Sequence, residues 1–345
     1  MGVSPHRRSL AHFSEFSLID VITRHAKRKT SDVVVGIGDD AALLQPISGF
    51  QQVVSTDLFV ERIHFNLQLH SLKDVGYRAA VANLSDMAAM GAFPRFLLVM
   101  VAVPSRHTVA DIMALYRGIQ ASCKAYDTVL IGGDTSASKD DLFLGMTIIG
   151  YVEKGRALQR AGAQPGDAIY VTGTLGDSAA GLQLLHSSLP SSVLSKQAMK
   201  FLISRHLRPT PRIAMGRLLS TYRWGSAAID LSDGLSGDLA HLCQASGVGA
   251  EIESAALPLS PSCRRFACQH QKDPCRMALQ GGEDFELLFT VSSRNKRKVE
   301  IAARAEGCPI TRIGTIRPKK AGISLRGSDG SSRKMPQISY DHFRQ

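Results

Sequence analysis

The sequence predicts an α/β (α+β) protein of two domains. Short β-branched or apolar runs alternate with amphipathic helical stretches along most of the 345 residues. Four of those runs lead straight into Gly- or Ser-containing acidic clusters. A turn signal at Pro165-Gly166 separates two stretches, each long enough to bury a core of its own. The boundary is placed at 154, giving domains 1–154 and 155–345.

The elements follow in order. Phe13 to Ala26 has helical spacing, and Val33 to Val35 is a short strand ending on Gly36-Ile37-Gly38-Asp39-Asp40. Gln51 to Ser55 repeats that design and ends on Thr56-Asp57. Lys73 to Met90 is an Ala-rich helix carrying Asn83, Ser85 and Asp86. Phe96 to Val103 is a strand stopped by Pro104, Thr108 to Tyr126 a helix, and Val129 to Ile131 a strand opening onto Gly132-Gly133-Asp134. Leu142 to Tyr151 is the last strand before the loop at 162–167. The second domain opens with the strand Ala168 to Thr172, the turn Gly173-Thr174-Leu175-Gly176-Asp177 and a helix over 178–185. Helices over 196–204 and 212–220, a strand over 227–231 ending on Asp230-Leu231-Ser232-Asp233, and a helix over 235–245 come next. Gly281-Gly282-Glu283-Asp284 precedes a strand over 285–291, then a helix over 296–306 and a final strand over 311–316.

Composition sets bounds. Lys and Arg number 41 against 30 Asp and Glu, a net charge of +11, which fits an RNA, a membrane surface or an anionic metabolite. Much of the excess lies at the termini or in polar stretches, and no aromatic residues interleave with it as a base-stacking surface requires, so no nucleic-acid partner is expected. The six cysteines form no CxxC pair, and Cys263, Cys268 and Cys275 match no zinc spacing. No apolar run is long enough to span a bilayer and the first dozen residues lack a signal-peptide core, so no membrane partner and a cytoplasmic place are expected.

The acidic clusters carry the chemistry: GIGDD (36–40), STD (55–57), NLSD (83–86), GGD (132–134), DLSD (230–233) and GGEDFE (281–286). Isolated buried anions are costly and must meet a cation or a proton. Carboxylates at strand ends can converge on one crevice, and neighbouring glycines let the backbone approach a ligand. Such a set suits Mg²⁺, which takes oxygen ligands and usually arrives with phosphate. Ser55, Thr56 and Ser232 add hydroxyl or carbonyl oxygens. Each Asp taken singly also fits a turn or a helix cap, as at Asp177 and Asp233, whereas Asp86 lies inside a helix where no cap is needed. The Gly173–Gly176 turn fits an anion site at a helix N-terminus, or a plain helix entry. Arg156 and Arg160 fit either phosphate neutralisation or ordinary surface, and His64 either a ligand contact or a satisfied polar histidine. There is no GxxxxGK[ST] and no kinase HRD or DFG set, so phosphoryl transfer here would proceed without a P-loop.

These clusters resemble the thiamine-monophosphate kinase family, in the wider superfamily of aminoimidazole ribonucleotide synthetase. The matching stretches include GIGDDAALL (36–44), STDLFVERIHF (55–65), NLSDMAAMGA (83–92), IGGDTS (131–136), GRALQRAGAQPGDAIYVTGTLGDSAAGL (155–182), RHLRPTPRI (205–213), AIDLSDGLSGDL (228–239), GGEDFELLFT (281–290) and YDHF (340–343). The resemblance implies a fold like aminoimidazole ribonucleotide synthetase. In it the N-terminal Mg/ATP domain forms a dimeric β-barrel with its copy, and the C-terminal α/β domain completes the nucleotide and thiamine sites. It implies transfer of the γ-phosphoryl group of ATP to thiamine monophosphate, giving thiamine diphosphate, the last step of that biosynthesis. It also implies several Mg²⁺ ions at Asp40, Ser55, Thr56, Asp57, Asp86, Asp134, Asp230 and Asp233. ATP contacts fall on Tyr116, Gly133, Asp134, Arg160 and Ser232, and thiamine contacts on His64, Glu283 and Tyr340. No catalytic side chain beyond this metal cradle is implied, because the acceptor phosphate is already ionised near neutral pH. Other members of the superfamily, among them selenophosphate synthetase and hydrogenase maturation factors, are rival readings. The chain has no Cys before Cys123 for the first of these, and GGEDFELLFT and YDHF favour the thiamine enzyme.

Overall fold

A computed structural model describes residues 18, 21, 22, 30–35, 41–186 and 194–335. The chain divides into two compact units, Met1–Leu84 with Phe93–Lys154, and Ser85–Ala92 with Gly155–Gln345. Most of the helix expected over 13–26, the GIGDD cluster with Asp40, and Tyr340 in YDHF lie outside the described residues.

In the first unit β1 (Val33–Val35) and β2 (Leu43–Leu44) make a small antiparallel ribbon. β3 (Phe50–Val60), β4 (Phe93–Pro104), β5 (Val129–Ser138) and β6 (Phe143–Glu153) form an open four-stranded sheet in the order β3-β6-β4-β5. Helix α1 is Leu72–Ala89 and α2 is Val109–Ala125. Only β4 and β5 run parallel, with α2 as their crossover, as a βαβ connection requires. Thr108 starts α2 with a full capping box to Asp111. The two helices meet at glycine: a Cβ at Gly118 would stand 1.9 Å from the Lys73 carbonyl oxygen.

The two faces of this sheet differ. Leu97, Val99, Val101, Leu144, Met146 and Ile148 are buried on one face. On the other, the antiparallel register sets Leu58 beside Gly145 and Met100, and Val54 beside Ile149. Val54, Leu58, Met100 and Phe143 keep 38–61% of their surface exposed, so this apolar face has no cover among the described residues. The ribbon reaches only the end of the sheet near Phe96 and Tyr151, where Val33, Ala42 and Leu44 pack. Arg95 bonds Asp32 next to that ribbon and holds the Asp32 carboxyl down to about 2.

The second unit holds β7 (Ala168–Thr172), α3 (Asp177–His186), α4 (Lys196–Leu207), α5 (Ile213–Thr221), β8 (Gly225–Leu231), α6 (Leu235–Ser246) and β9 (Val248–Glu253). α7 (Pro261–Gln269), α8 (Pro274–Gln280), β10 (Glu286–Val291), α9 (Lys296–Ala305), β11 (Ile310–Pro318), β12 (Ile323–Arg326) and β13 (Ser332–Lys334) complete it. The seven strands order as β13-β12-β9-β11-β7-β10-β8, antiparallel except for β12 with β9. β7 is buried at all five positions. Its Ile169 and Val171 pack with Leu235, Leu239 and Leu242 of α6, and its Tyr170 packs with Phe289 and Val299. This stretch of the sheet is therefore covered on both sides, which accounts for the unbroken apolar runs of β7 and β10.

Two strand boundaries differ from the sequence expectation. STD (55–57) and GGD (132–134) lie inside β3 and β5 rather than at their ends, because both strands continue through polar residues paired to apolar neighbours. β9, α7, α8, β12 and β13 carry no long apolar period and went unread. α7 and α8 nevertheless have plain local signals, a Ser260 or Asp273 cap followed by Pro at the first turn.

Candidate active site

The first unit displays its expected residues along β3, β5 and the turn after β3. The β3 pleat splits the STD cluster, with Ser55 and Asp57 half-buried on one face and Thr56 on the other. The Thr56 hydroxyl donates to the Met146 carbonyl at 2.8 Å and accepts from the Thr147 hydroxyl at 3.2 Å, so it is tied to β6. Gly133 and Asp134 are exposed on β5. His64 Nδ1 accepts from the Val60 backbone N–H at 3.0 Å, and its ring stacks on Phe59. In the neutral ring the proton then sits on Nε2. Tyr116 is buried on α2, and burial pushes its phenol up.

In the second unit two acidic clusters far apart in sequence are brought together. Ser85, fully buried at the NLSD end of α1, donates to Asp230 Oδ2 of DLSD at 2.8 Å. Asp86, the next residue, is half-buried. Asp233 is not a helix cap: the cap of α6 is Gly234, and the Asp233 N–H donates to Asp238 Oδ2 at 3.2 Å. Asp238, which the sequence reading missed, is buried, and its carboxyl is pushed up to about 8. Burial is the main cause and the charges of Asp230 and Asp233 add to it, against Arg160. Arg156 turns inward and donates to the Thr221 carbonyl at the end of α5, a structural use. Arg160 is exposed, and its carbonyl accepts from Ser246.

The GGEDFE cluster separates into three roles. Glu286 is fully buried at the start of β10, where Arg205 reaches it at 2.7 Å and Arg212 clamps both its oxygens at 2.5 Å, with Thr172 as a further donor at 2.5 Å. Asp284 accepts from the backbone N–H groups of Gly176 at 2.6 Å and Ser178 at 3.0 Å. The helix entrance at Gly173–Gly176 is thus filled by the chain's own carboxylate, which of the two sequence readings favours plain helix entry over a ligand anion site. Burial pushes the Asp284 carboxyl up to about 7 against those two bonds. Glu283 stays half-exposed at φ +62°, its N–H donating to the Ser232 carbonyl at 2.7 Å.

The donor set fits a hard cation. Its carboxylates, hydroxyls and carbonyls offer oxygen only, as Mg²⁺ requires, and Asp230 and Asp233 lie close enough to Asp238 to add to the rise of its carboxyl. Among the described residues no group of three or more His, Cys, Asp or Glu side chains is gathered closely enough to hold a metal by itself. No helix among them is long and apolar enough to cross a membrane.

The family models for AIR synthase related protein match the chain in two parts, the N-terminal domain over residues 38–152 and the C-terminal domain over 164–325. Fold and site thus define a two-domain α/β protein of the AIR synthase related class. The chain is 41% identical over 331 residues to a thiamine-monophosphate kinase of Bacillus subtilis, covering 96% of this chain and 99% of the relative. It is 43% identical over 329 residues to that of Salmonella typhimurium, covering 95% and 98%. The crystal structure of thiamine-monophosphate kinase from Stenotrophomonas maltophilia superposes with a TM-score of 0.80 at 36% identity, covering 95% of this chain and 99% of that one. AaThiL complexed with AMPPCP and TMP superposes at 0.75 with 32% identity, covering 97% and 99%. The hydrogenase maturation protein HypE of E. coli, at 21% identity and a TM-score of 0.76 over 95% and 99%, shares the fold alone. The chain belongs to the thiamine-monophosphate kinase family and is a kinase.

Proposed function

We propose that this enzyme phosphorylates thiamine monophosphate with ATP, giving thiamine diphosphate and ADP, as the last step of thiamine diphosphate biosynthesis in the cytoplasm. The observation that carries the reading is the full-length likeness to the thiamine kinases, one of them seen with a nucleotide analogue and TMP. An oxygen of the acceptor phosphate attacks the γ-phosphorus in line, and the bond to the β-phosphate oxygen breaks. That oxygen is already ionised, so no side chain need act as a strong base.

Two polyanions must approach each other, and Mg²⁺ would supply the charge neutralisation that this needs. Asp40, Ser55, Thr56, Asp57, Asp86, Asp134, Asp230 and Asp233 are the residues that would hold it. Gly133, Asp134, Tyr116, Arg160 and Ser232 would serve the nucleotide. His64, through its Nε2–H, would serve thiamine monophosphate together with Glu283 and Tyr340. The buried phenol of Tyr116 fits a role in shaping the site better than one in touching a phosphate.

The same reading makes the enzyme a homodimer whose first-domain sheets close a shared barrel. The uncovered apolar face with Val54, Leu58, Met100 and Phe143 supports it, since a second copy would give that face a dry partner. Domain roles follow the boundary at 154, with Mg/ATP binding and dimerisation before it and completion of the nucleotide and thiamine sites after it.

The test is mass detection of thiamine diphosphate made from thiamine monophosphate, ATP and Mg²⁺, beside a panel of other acceptors. Product from another acceptor but none from thiamine monophosphate would overturn the assignment. Asp57→Asn should lower turnover by about 10²-fold or more, and near-normal turnover would remove Asp57 from the metal set.

A further inference from the structure

We propose that His206 is a positioning residue for Glu283, aiming the carboxylate that serves thiamine monophosphate. The proposal rests on the reading of Glu283 given above. His206 comes from the RHLRPTPRI stretch, and two of its three arginines, Arg205 and Arg212, are accounted for by Glu286. The histidine between them has a different neighbourhood.

Ser195 caps α4 by accepting from the Ala198 N–H, and the helix runs to Leu207 with His206 in its last turn. α4 packs on α3 at Gly181, where a Cβ would stand 2.1 Å from the Leu202 carbonyl oxygen and 3.1 Å from the His206 Cβ. Only glycine permits that approach, and it drives the imidazole into the interior, 1% exposed. There His206 Nδ1 lies 3.0 Å from Ser178 Oγ and 3.7 Å from Glu283 Oε2. The first is a hydrogen bond; the second is a close polar contact just beyond hydrogen-bond length.

Ser178 also ties down the next residue of the loop, because its backbone N–H donates to Asp284 Oδ1 at 3.0 Å. Glu283 and Asp284 are therefore both referred to the first turn of α3, Asp284 directly and Glu283 through His206. The backbone of Glu283 is fixed independently: φ is +62°, a conformation that a non-glycine residue keeps only when its surroundings hold it, and its N–H is bonded to Ser232. What remains to be set is the direction of a side chain that is 30% exposed. His206 helps to set it, because its imidazole lies 3.7 Å from that carboxylate and is itself pinned by Ser178. A substrate that Glu283 receives then meets a carboxylate already aimed, with less side-chain entropy to lose on binding.

The test compares steady-state kinetics of the wild type, His206→Ala, His206→Asn, Ser178→Ala, Glu283→Gln and the double variant His206→Ala/Glu283→Gln, each with its melting temperature. His206→Ala should raise KM for thiamine monophosphate by about tenfold while KM for ATP stays within about twofold. His206→Asn places an amide nitrogen near the position of Nδ1 and should recover most of that loss. Ser178→Ala frees the ring and should give an intermediate rise. In the Glu283→Gln background, His206→Ala should add little, because the two residues act as one unit. An unchanged KM in His206→Ala, additive effects in the double variant, or equal rises in the two KM values would overturn the proposal. If His206→Ala does not fold, Ser178→Ala decides in its place, and an unchanged KM for thiamine monophosphate in that variant would overturn the proposal. Failure of the underlying reading looks different: the wild type makes no thiamine diphosphate, or Glu283→Gln keeps a normal KM for thiamine monophosphate.

Discussion

Asp57 and Asp134 of the first unit and Asp177, Asp284 and Glu286 of the second live under different conditions. Asp134 in the first unit is exposed on a strand, and Asp57 is half-buried on another. In the second unit Asp177, Asp284 and Glu286 are all under 3% exposed, and each already has partners within the protein. The sequence shows all of them alike, as acids beside glycine or serine. The structure separates acids that hold the fold from acids left partly or fully exposed, and the difference is measurable by substitution.

The largest effect should come from Glu286. Replacing it with Ala strands Arg205 and Arg212, whose side chains are only 12% and 17% exposed, beside a hole in the interior. Removing one partner of a buried ion pair costs about 3–5 kcal/mol. Denaturant unfolding of Glu286→Ala should show a loss of that size or no folded protein at all, and a melting curve like the wild type's would show that the arginines find other partners. Asp134→Asn is the counterpart in the first unit. Turnover should fall by about 10²-fold, as when a charge-stabilising group is lost. Stability should move by no more than about 0.5 kcal/mol, as for other exposed positions. A large stability loss in that variant would erase the contrast between the units.

This separation explains what was legible in the sequence. The α/β class, most strands and the main helices could be read because apolar period and turn residues are local signals. The clusters were legible as a set because so many acids beside glycine is unusual in a basic chain. Their division of labour was not, because it depends on contacts distant in sequence: Ser85 with Asp230, Arg212 with Glu286, and Gly176 with Asp284. Asp238 was missed for the same reason. It stands inside a helix pattern as an ordinary polar position, and only the fold sets it beside Asp230 and Asp233. The missed strands β12 and β13 are short and largely polar, with no period to find.

The sheets of the two units offer a second form of the comparison. The second unit covers β7 and β10 on both faces, while the first leaves Val54 and Leu58 bare. If a second copy covers them, Leu58→Lys should shift the protein from dimer to monomer in sedimentation velocity, with the fold retained by circular dichroism. A wild type that sediments as a monomer would sink the barrel proposal at once.

The smallest effect follows from the Asp284 carboxyl, and it concerns pH. Its value in the folded protein is raised to about 7 from the ordinary 3.8 of an aspartate, with burial as the main cause. Between those values the folded state holds a proton that the unfolded state has released. Stability therefore falls as pH rises through that window, and the contribution levels off above about 7. The slope from this one group approaches at most about 1.4 kcal/mol per pH unit. Asp32 acts in the opposite sense and at lower pH: Arg95 holds it down to about 2, so its stabilisation is complete above 3.8 and is lost only as pH falls towards 2. The Asp32 window barely overlaps that of Asp284, but Asp238, raised to about 8, titrates across the same range, so the Asp284 contribution is separated by substitution. Asp284→Asn keeps an acceptor for one of the two N–H groups of the α3 entrance but no titrating proton. Its unfolding free energy should be lower than the wild type's at pH 5, with the gap narrowing steadily towards pH 7. A gap that stays constant across that range would mean that Asp284 is already ionised at pH 5, and that the two backbone donors outweigh its burial.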